Sequence, residues 1–205
     1  MNHSAEQIEA TTRDGAPAGG LHLRRSCPSA SVAGVALLCL SCVLLAAGQS
    51  RVEEYRLKAA FLFHFAQFIE WPAGAFPDGA DQPLVFCVIG DDPFQGDLEG
   101  TVQGKSVAGR TVEVRHIARI QPNSGCHMAF INRKESGRAH ELLASLEGAP
   151  VLTVGESEEF LRQGGMIRFC MDERKVRFEI NQGAAERAHL KISARLLLLA
   201  KSVIG

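Results

Sequence analysis

The sequence lacks any charge imbalance: 22 Lys and Arg stand against 23 Asp and Glu in 205 residues, a formal net charge of −1. No basic field gathers a polyanion, which argues against a nucleic-acid binder. With 46% hydrophobic residues the composition is globular, not disordered or collagen-like. It lacks the signatures of nucleotide chemistry as well. Gly90-Asp91-Asp92-Pro93 sits where a dinucleotide fingerprint would begin, but it has a single glycine and two carboxylates that repel a phosphate.

Catalytic and metal signatures are missing too. There is no G-x-S-x-G elbow. His64, His116, His127, His140 and His189 show no H-E-x-x-H or H-x-H spacing, so each reads as a surface or hydrogen-bonded residue before a metal ligand. Cys126 and His127 are neighbours in a strand-like run. They point to opposite faces and do not form a nucleophile–base pair. Asp172, Glu173 and Arg174 read as a solvated hairpin tip, and Glu156–Glu159 as the acid-rich first turn of a helix. No residue is expected to be catalytic, to bind a cofactor or to hold a metal, and the chain is not expected to be an enzyme.

No run is long enough to span a membrane. Residues 32–47 are uncharged, but at roughly 16 residues they fall short of the ~20 that a spanning helix needs. They follow Arg24-Arg25 and lead into Ala46-Ala47-Gly48, the pattern of a Sec signal peptide cut near Gly48–Gln49. The segment before the run is long for such a leader, and a start nearer Leu21–Arg25 is the alternative. Cys42 fits a lipid-attachment site poorly, because Cys39 takes the third position before it. The division expected is a leader over 1–48 and one exported domain over 49–205.

Export leaves Cys87, Cys126 and Cys170 in an oxidising compartment, where thiols pair. None of the three sits in a C-x-x-C, so no zinc knuckle or thioredoxin-type site is encoded by them. Cys87 lies inside one apolar run and Cys126 opens another, so adjacent strands would bring them together. All three pairings remain open on the residues alone, as do three reduced cysteines buried as small apolar side chains.

From Val52 to Ile69 the chain reads as a helix. Tyr55, Ala59, Leu62, Ala66 and Ile69 form one stripe, with Leu57, Phe61, Phe65 and Phe68 beside it. Grease on so much of the circumference demands cover from the rest of the domain or from another chain, and Phe61, Phe65, Phe68 and Trp71 are the candidates for a core or dimer helix. Strands are expected at Leu84–Ile89, Thr111–Ile117, Met128–Ile131 and Val151–Val154. Met166–Cys170 and Lys175–Ile180 read as a hairpin. Helices are expected at Phe94–Leu98, Ser136–Leu146, Glu156–Arg162 and Ala184–Ile204. This alternation predicts a single Rossmann-like α/β domain: a mainly parallel sheet, an edge hairpin and helices on both faces. Excess leucine near Leu196–Leu199 makes Phe178, Leu190, Ile192 and Leu196 candidates for contact with a partner, ordinary core being the alternative.

The motifs Lys58-Ala59-Ala60-Phe61-Leu62-Phe63-His64-Phe65, Phe68-Ile69-Glu70-Trp71-Pro72, the strand carrying Cys87, Cys126-His127-Met128-Ala129-Phe130-Ile131, Gly164-Gly165-Met166-Ile167-Arg168-Phe169, Val176-Arg177-Phe178-Glu179-Ile180-Asn181 and Leu190-Lys191-Ile192-Ser193-Ala194-Arg195-Leu196-Leu197 occur in order along 53–203. Together they resemble the YfiR family of periplasmic proteins. The departures are Phe63 and His64, where the family often has Tyr and Asn, and the absence of a second bridge partner near Cys170. The resemblance implies a Cys87–Cys126 disulfide, a homodimer and a periplasmic location. It also implies binding to the periplasmic sensor domain of a membrane-anchored diguanylate cyclase, holding it inactive and so lowering cyclic di-GMP and biofilm formation. Some relatives would serve sensor histidine kinases instead. The competing reading is a small-ligand-binding domain whose crevice at the strand ends is lined by Gly90–Phe94.

Overall fold

The computed structural model describes residues 50–77 and 81–205, so the proposed leader and its cleavage point lie outside the described residues. Helix α1 covers 50–67. Its inward stripe is the one that the spacing predicts: Tyr55, Ala59, Leu62 and Ala66 are buried, as is Ile69 just beyond the helix end. A two-residue strand, Ile69–Glu70 (β1), follows.

Six strands come next in order: Leu84–Ile89 (β2), Ser106–Val107 (β3), Arg110–Ile117 (β4), Met128–Ile131 (β5), Leu152–Gly155 (β6) and Ile167–Asp172 (β7). Lys175–Asn181 (β8), Lys191–Ile192 (β9) and Ser202–Ile204 (β10) complete the set. The helices after α1 are short: Asp97–Val102 (α2), Ala139–Ala144 (α3), Gln182–Arg187 (α4) and Ala194–Leu199 (α5). The main sheet has the order β10-β8-β7-β6-β5-β2-β4-β3, and β1 pairs with β9 in a separate two-stranded ribbon. Five of the main-sheet pairings are parallel; β7–β8 and β3–β4 are antiparallel. This is the single Rossmann-like α/β domain that the alternation of elements predicts.

Both faces of the sheet are covered, which explains the unbroken apolar runs of β2 and β5. Leu84, Phe86 and Val88 of β2 join a core that includes α1 and α2 residues. Val85, Cys87 and Ile89 point the other way, into a second core with Leu142, Leu143 and Leu146. Successive strand side chains alternate between faces, so one strand serves both cores. Phe160 anchors part of the second core in a slot between two glycines. A Cβ at Gly155 would meet its ring at 2.4 Å, and one at Gly165 at 2.2 Å.

Three expectations need correction. Glu156–Arg162 forms turns instead of a helix. The hairpin β7–β8 is not at the edge, because β10 pairs parallel to the outer side of β8. The predicted last helix, Ala184–Ile204, breaks into α4, β9, α5 and β10. The first break is a helix stop in which His189 takes a left-handed conformation, φ 58°. The His189 N–H donates to Glu186 O and the Leu190 N–H to Ala185 O, both at 2.9 Å. That paired closure terminates a helix and turns the next hydrophobic residue, here Leu190, back onto it.

Candidate functional site

The helix residues proposed for core or dimer contact divide by burial. Phe65 is fully buried, while Phe61, Phe68 and Trp71 are partly buried and pack on the same core. The ring of Phe65 lies 4.9 Å from that of Phe178 and 5.5 Å from that of Phe169, and Phe61 meets Phe178 at 5.8 Å. The β7–β8 hairpin therefore supplies much of the cover that α1 needs, and such aromatic contacts add to what burial alone contributes.

The four residues proposed for partner contact lie mostly inside. Phe178, Leu190 and Leu196 are core, at 3%, 1% and 2% exposure, and only Ile192 keeps part of its surface. The helix break at Ala188–His189 is the cause: it folds Leu190 inward and restarts the chain so that α5 buries Leu196 alone. What a partner would meet in this region is different. Leu198 is 85% exposed and Leu199 60%, with Val203 and Ile204 also exposed. These four stand on α5 and β10, whose outer edge has no strand partner among the described residues. Exposed aliphatic side chains and an open strand edge are both surface features suited to receiving another chain.

Elsewhere in the fold sit two polar nodes that no motif in the sequence marks. In the first, Lys58 is 2% exposed and Glu156 3%. The Lys58 ammonium pairs with both Glu54 and Glu156. Glu156 Oε2 also accepts from the Tyr55 hydroxyl and from the Arg133 N–H, each at 3.1 Å. Lys58 Nζ lies 4.5 Å from the Tyr55 ring centroid. Burial, reinforced by the neighbouring Glu156 carboxylate, pushes the Tyr55 hydroxyl up to about 12, so it remains a donor. The only hint in the sequence is a lysine inside an otherwise greasy helix stripe. Nothing marks Glu156 among its acidic neighbours.

The second node is His127, buried at 2%. Its Nδ1 accepts from the Val85 N–H at 3.1 Å, which places the proton on Nε2, where it is donated to Ala75 O at 2.9 Å. Phe76 stacks on the imidazole with centroids 4.4 Å apart, and the Trp71 indole N–H donates to His127 O. Burial holds the imidazole pKa below its ordinary value. The neighbouring Cys126 is bonded to Cys87, with Cα atoms 5.8 Å apart. Cys170 keeps its thiol, partly exposed, and burial pushes its pKa up, away from the nucleophilic thiolate. Among the described residues no three His, Cys, Asp or Glu side chains are grouped to hold a metal. No helix among them is long and apolar enough to cross a membrane.

The fold is thus a doubly covered α/β sheet with one disulfide tying β2 to the segment that enters β5, and with exposed aliphatic side chains on α5 and β10. The chain belongs to the YfiR/HmsC-like family, whose model matches residues 55–201. That family is one of periplasmic regulators and not of catalysts, and it implies contact with the periplasmic sensor domain of a membrane protein. Two solved structures are similar in part. One is a conserved domain protein from Vibrio cholerae O1 biovar El Tor, 10% identical, with a TM-score of 0.44 over 58% of this chain and 54% of that one. The other is the ABC domain in complex with L-Trp from Streptococcus pneumonia, 12% identical, with a TM-score of 0.45 over 59% and 55%. The chain thus spans about half the length of each.

Proposed function

We propose that this protein is exported to the periplasm, where it binds the sensor domain of an inner-membrane diguanylate cyclase and holds it inactive. The observation that carries the reading is the family match over residues 55–201. The exposed Leu198, Leu199, Val203 and Ile204 supply a surface suited to it. Repression by occupancy requires no reactive group. It needs only that the complexed sensor favour the inactive cyclase, by as much as its affinities for the two states differ. A homodimer belongs to the same proposal, with the partly exposed Phe61, Phe68 and Trp71 of the α1 region as its candidate contacts.

Deleting the gene in its host is expected to raise cellular cyclic di-GMP and surface attachment. The purified protein should bind the periplasmic domain of the derepressed cyclase and lower the turnover of the full-length enzyme in vesicles. Unchanged cyclic di-GMP in the deletion strain, together with no binding to any of the host's cyclase sensor domains, overturns the proposal.

A further inference from the structure

The chain reverses its direction across the sheet at one point. From β2 it moves outward to β4, then returns to place β5 on the other side of β2. In open α/β sheets the loops leaving two such strands part, and the crevice beyond their carboxyl ends is where ligands settle. The loops here are Gly90–Asp92 and Asn132–Lys134. They are tied together by Asn132 Nδ2 donating to Asp91 O at 2.8 Å and by Lys134 Nζ on Asp91 Oδ2 at 2.9 Å.

Beside that tie lies a crevice of about 510 Å³, between the start of α1 and the loop after β5, with Met171 on its rim. The volume is that of a small-molecule site. Its charges are uneven. Glu54 is paired with Lys58 and Lys134 with Asp91, whereas Arg51 and Arg133, both lining the crevice, make no ion pair among the described residues. The backbone of one lining loop is fixed in advance. Glu156 accepts from the Arg133 N–H and is itself held by Lys58 and the Tyr55 hydroxyl, so the backbone bearing one guanidinium is anchored to a buried ion pair. Two arginines from separate elements lining one crevice are suited to the planar, bidentate recognition of carboxylate or phosphate oxygens.

We propose that this crevice binds a small organic anion, a carboxylate or phosphate held by Arg51 and Arg133, with Tyr55 and Met171 against its apolar part. The Gly90–Phe94 segment contributes less than the sequence suggests. Pro93 and Phe94 line a separate crevice of about 200 Å³ that shares Tyr55 with this one. The inference is independent of cyclase repression, since either binding event can fail without the other.

The test is titration calorimetry of the mature protein with succinate and, separately, with inorganic phosphate, at constant ionic strength. Saturable binding of one or both is expected, weakened at least about tenfold by Arg133→Gln and by Arg51→Gln, a loss of about 1.4 kcal/mol. Arg187→Gln serves as the control, because Arg187 lines a different cleft with His140 and Gln163. Arg133→Gln keeps the N–H that Glu156 binds, so an unchanged melting temperature separates lost binding from lost folding. Preference for succinate identifies a carboxylate ligand, and preference for phosphate a phosphorylated one. No saturable binding of either probe up to about 10 mM, where even millimolar affinity registers, overturns the proposal. So does equal affinity in the two arginine variants and the wild type.

Discussion

Two regions of this molecule invert the usual rule of apolar inside and charged outside. At the carboxyl ends of β5 and β6 a lysine and a glutamate are buried together, while on α5 and β10 four aliphatic side chains stand in water. The first inversion is resolved within the chain. Lys58 has two carboxylates, and Glu156 has an ammonium, a hydroxyl and a backbone N–H, so neither charge is left uncompensated. The second has no resolution among the described residues: Leu198 and Leu199 touch nothing that removes them from water to any large degree. A buried ion pair satisfied on every side belongs to the architecture. Exposed grease beside an open strand edge belongs to whatever the protein meets.

Breaking the first region should have the largest effect. Glu156→Leu leaves Lys58 buried without its deepest partner and is expected to cost about 3–5 kcal/mol in denaturant unfolding. The double variant Lys58→Met, Glu156→Leu should recover much of that, because a paired apolar replacement of a buried ion pair is often neutral or better. If the single and double variants unfold alike, the node is not acting as a pair.

Next comes the disulfide that ties β2 to the segment entering β5. Removing the Cys87–Cys126 bridge, which closes a loop of 39 residues, should lower stability by up to about 4 kcal/mol on the chain-entropy estimate. Gly155→Ala is smaller again. Its Cβ would fall 2.4 Å from the Phe160 ring, and overpacking of that kind costs about 1–3 kcal/mol. Both are read from urea midpoints with an unchanged slope.

A gentler probe is acid. The His127 pKa is lower in the folded protein than in the unfolded chain, whose ordinary value is 6.5. Its contribution is therefore complete above about pH 6.5 and is lost as the pH falls through the folded-state value. Unfolding free energy should decline between neutral pH and pH 5, and the slope should be shallower in His127→Gln. An identical slope in the variant would assign the effect to other groups.

The smallest stability effect is predicted for the second region. Leu198→Ser with Leu199→Ser should change unfolding by no more than about 0.5 kcal/mol per site, as surface substitutions do. It should nevertheless abolish capture of the cyclase sensor domain. A variant that binds as before would move the contact away from α5 and β10.

The stripe of α1, the runs of β2 and β5, and the hairpin β7–β8 were legible because hydrophobic period and turn residues report directly on which face is buried. The break after α4 was not. A helix stop of this type usually carries glycine, and here His189 takes the left-handed position, leaving an apparently continuous helical pattern. That one misread junction is why Leu190 and Leu196 looked available to a partner when they are core, whereas Phe178 on β8 is covered by Phe61 and Phe65 of α1. The residues that matter at the Arg51–Arg133 crevice were illegible for another reason. Arg51 and Tyr55 are one helical turn apart, but Arg133 and Glu156 are distant from them and from each other in the chain, and no spacing rule links the three segments.

Local chemistry alone therefore determined the fold class, the alternation of strands and helices, and the family, because each rests on periodicity and short motifs carried by contiguous residues. Folding decided which cysteines bond, which leucines face water, and which charges are buried together. Those depend on the register of parallel strands and on one left-handed turn, and both are set by contacts between residues distant in the sequence.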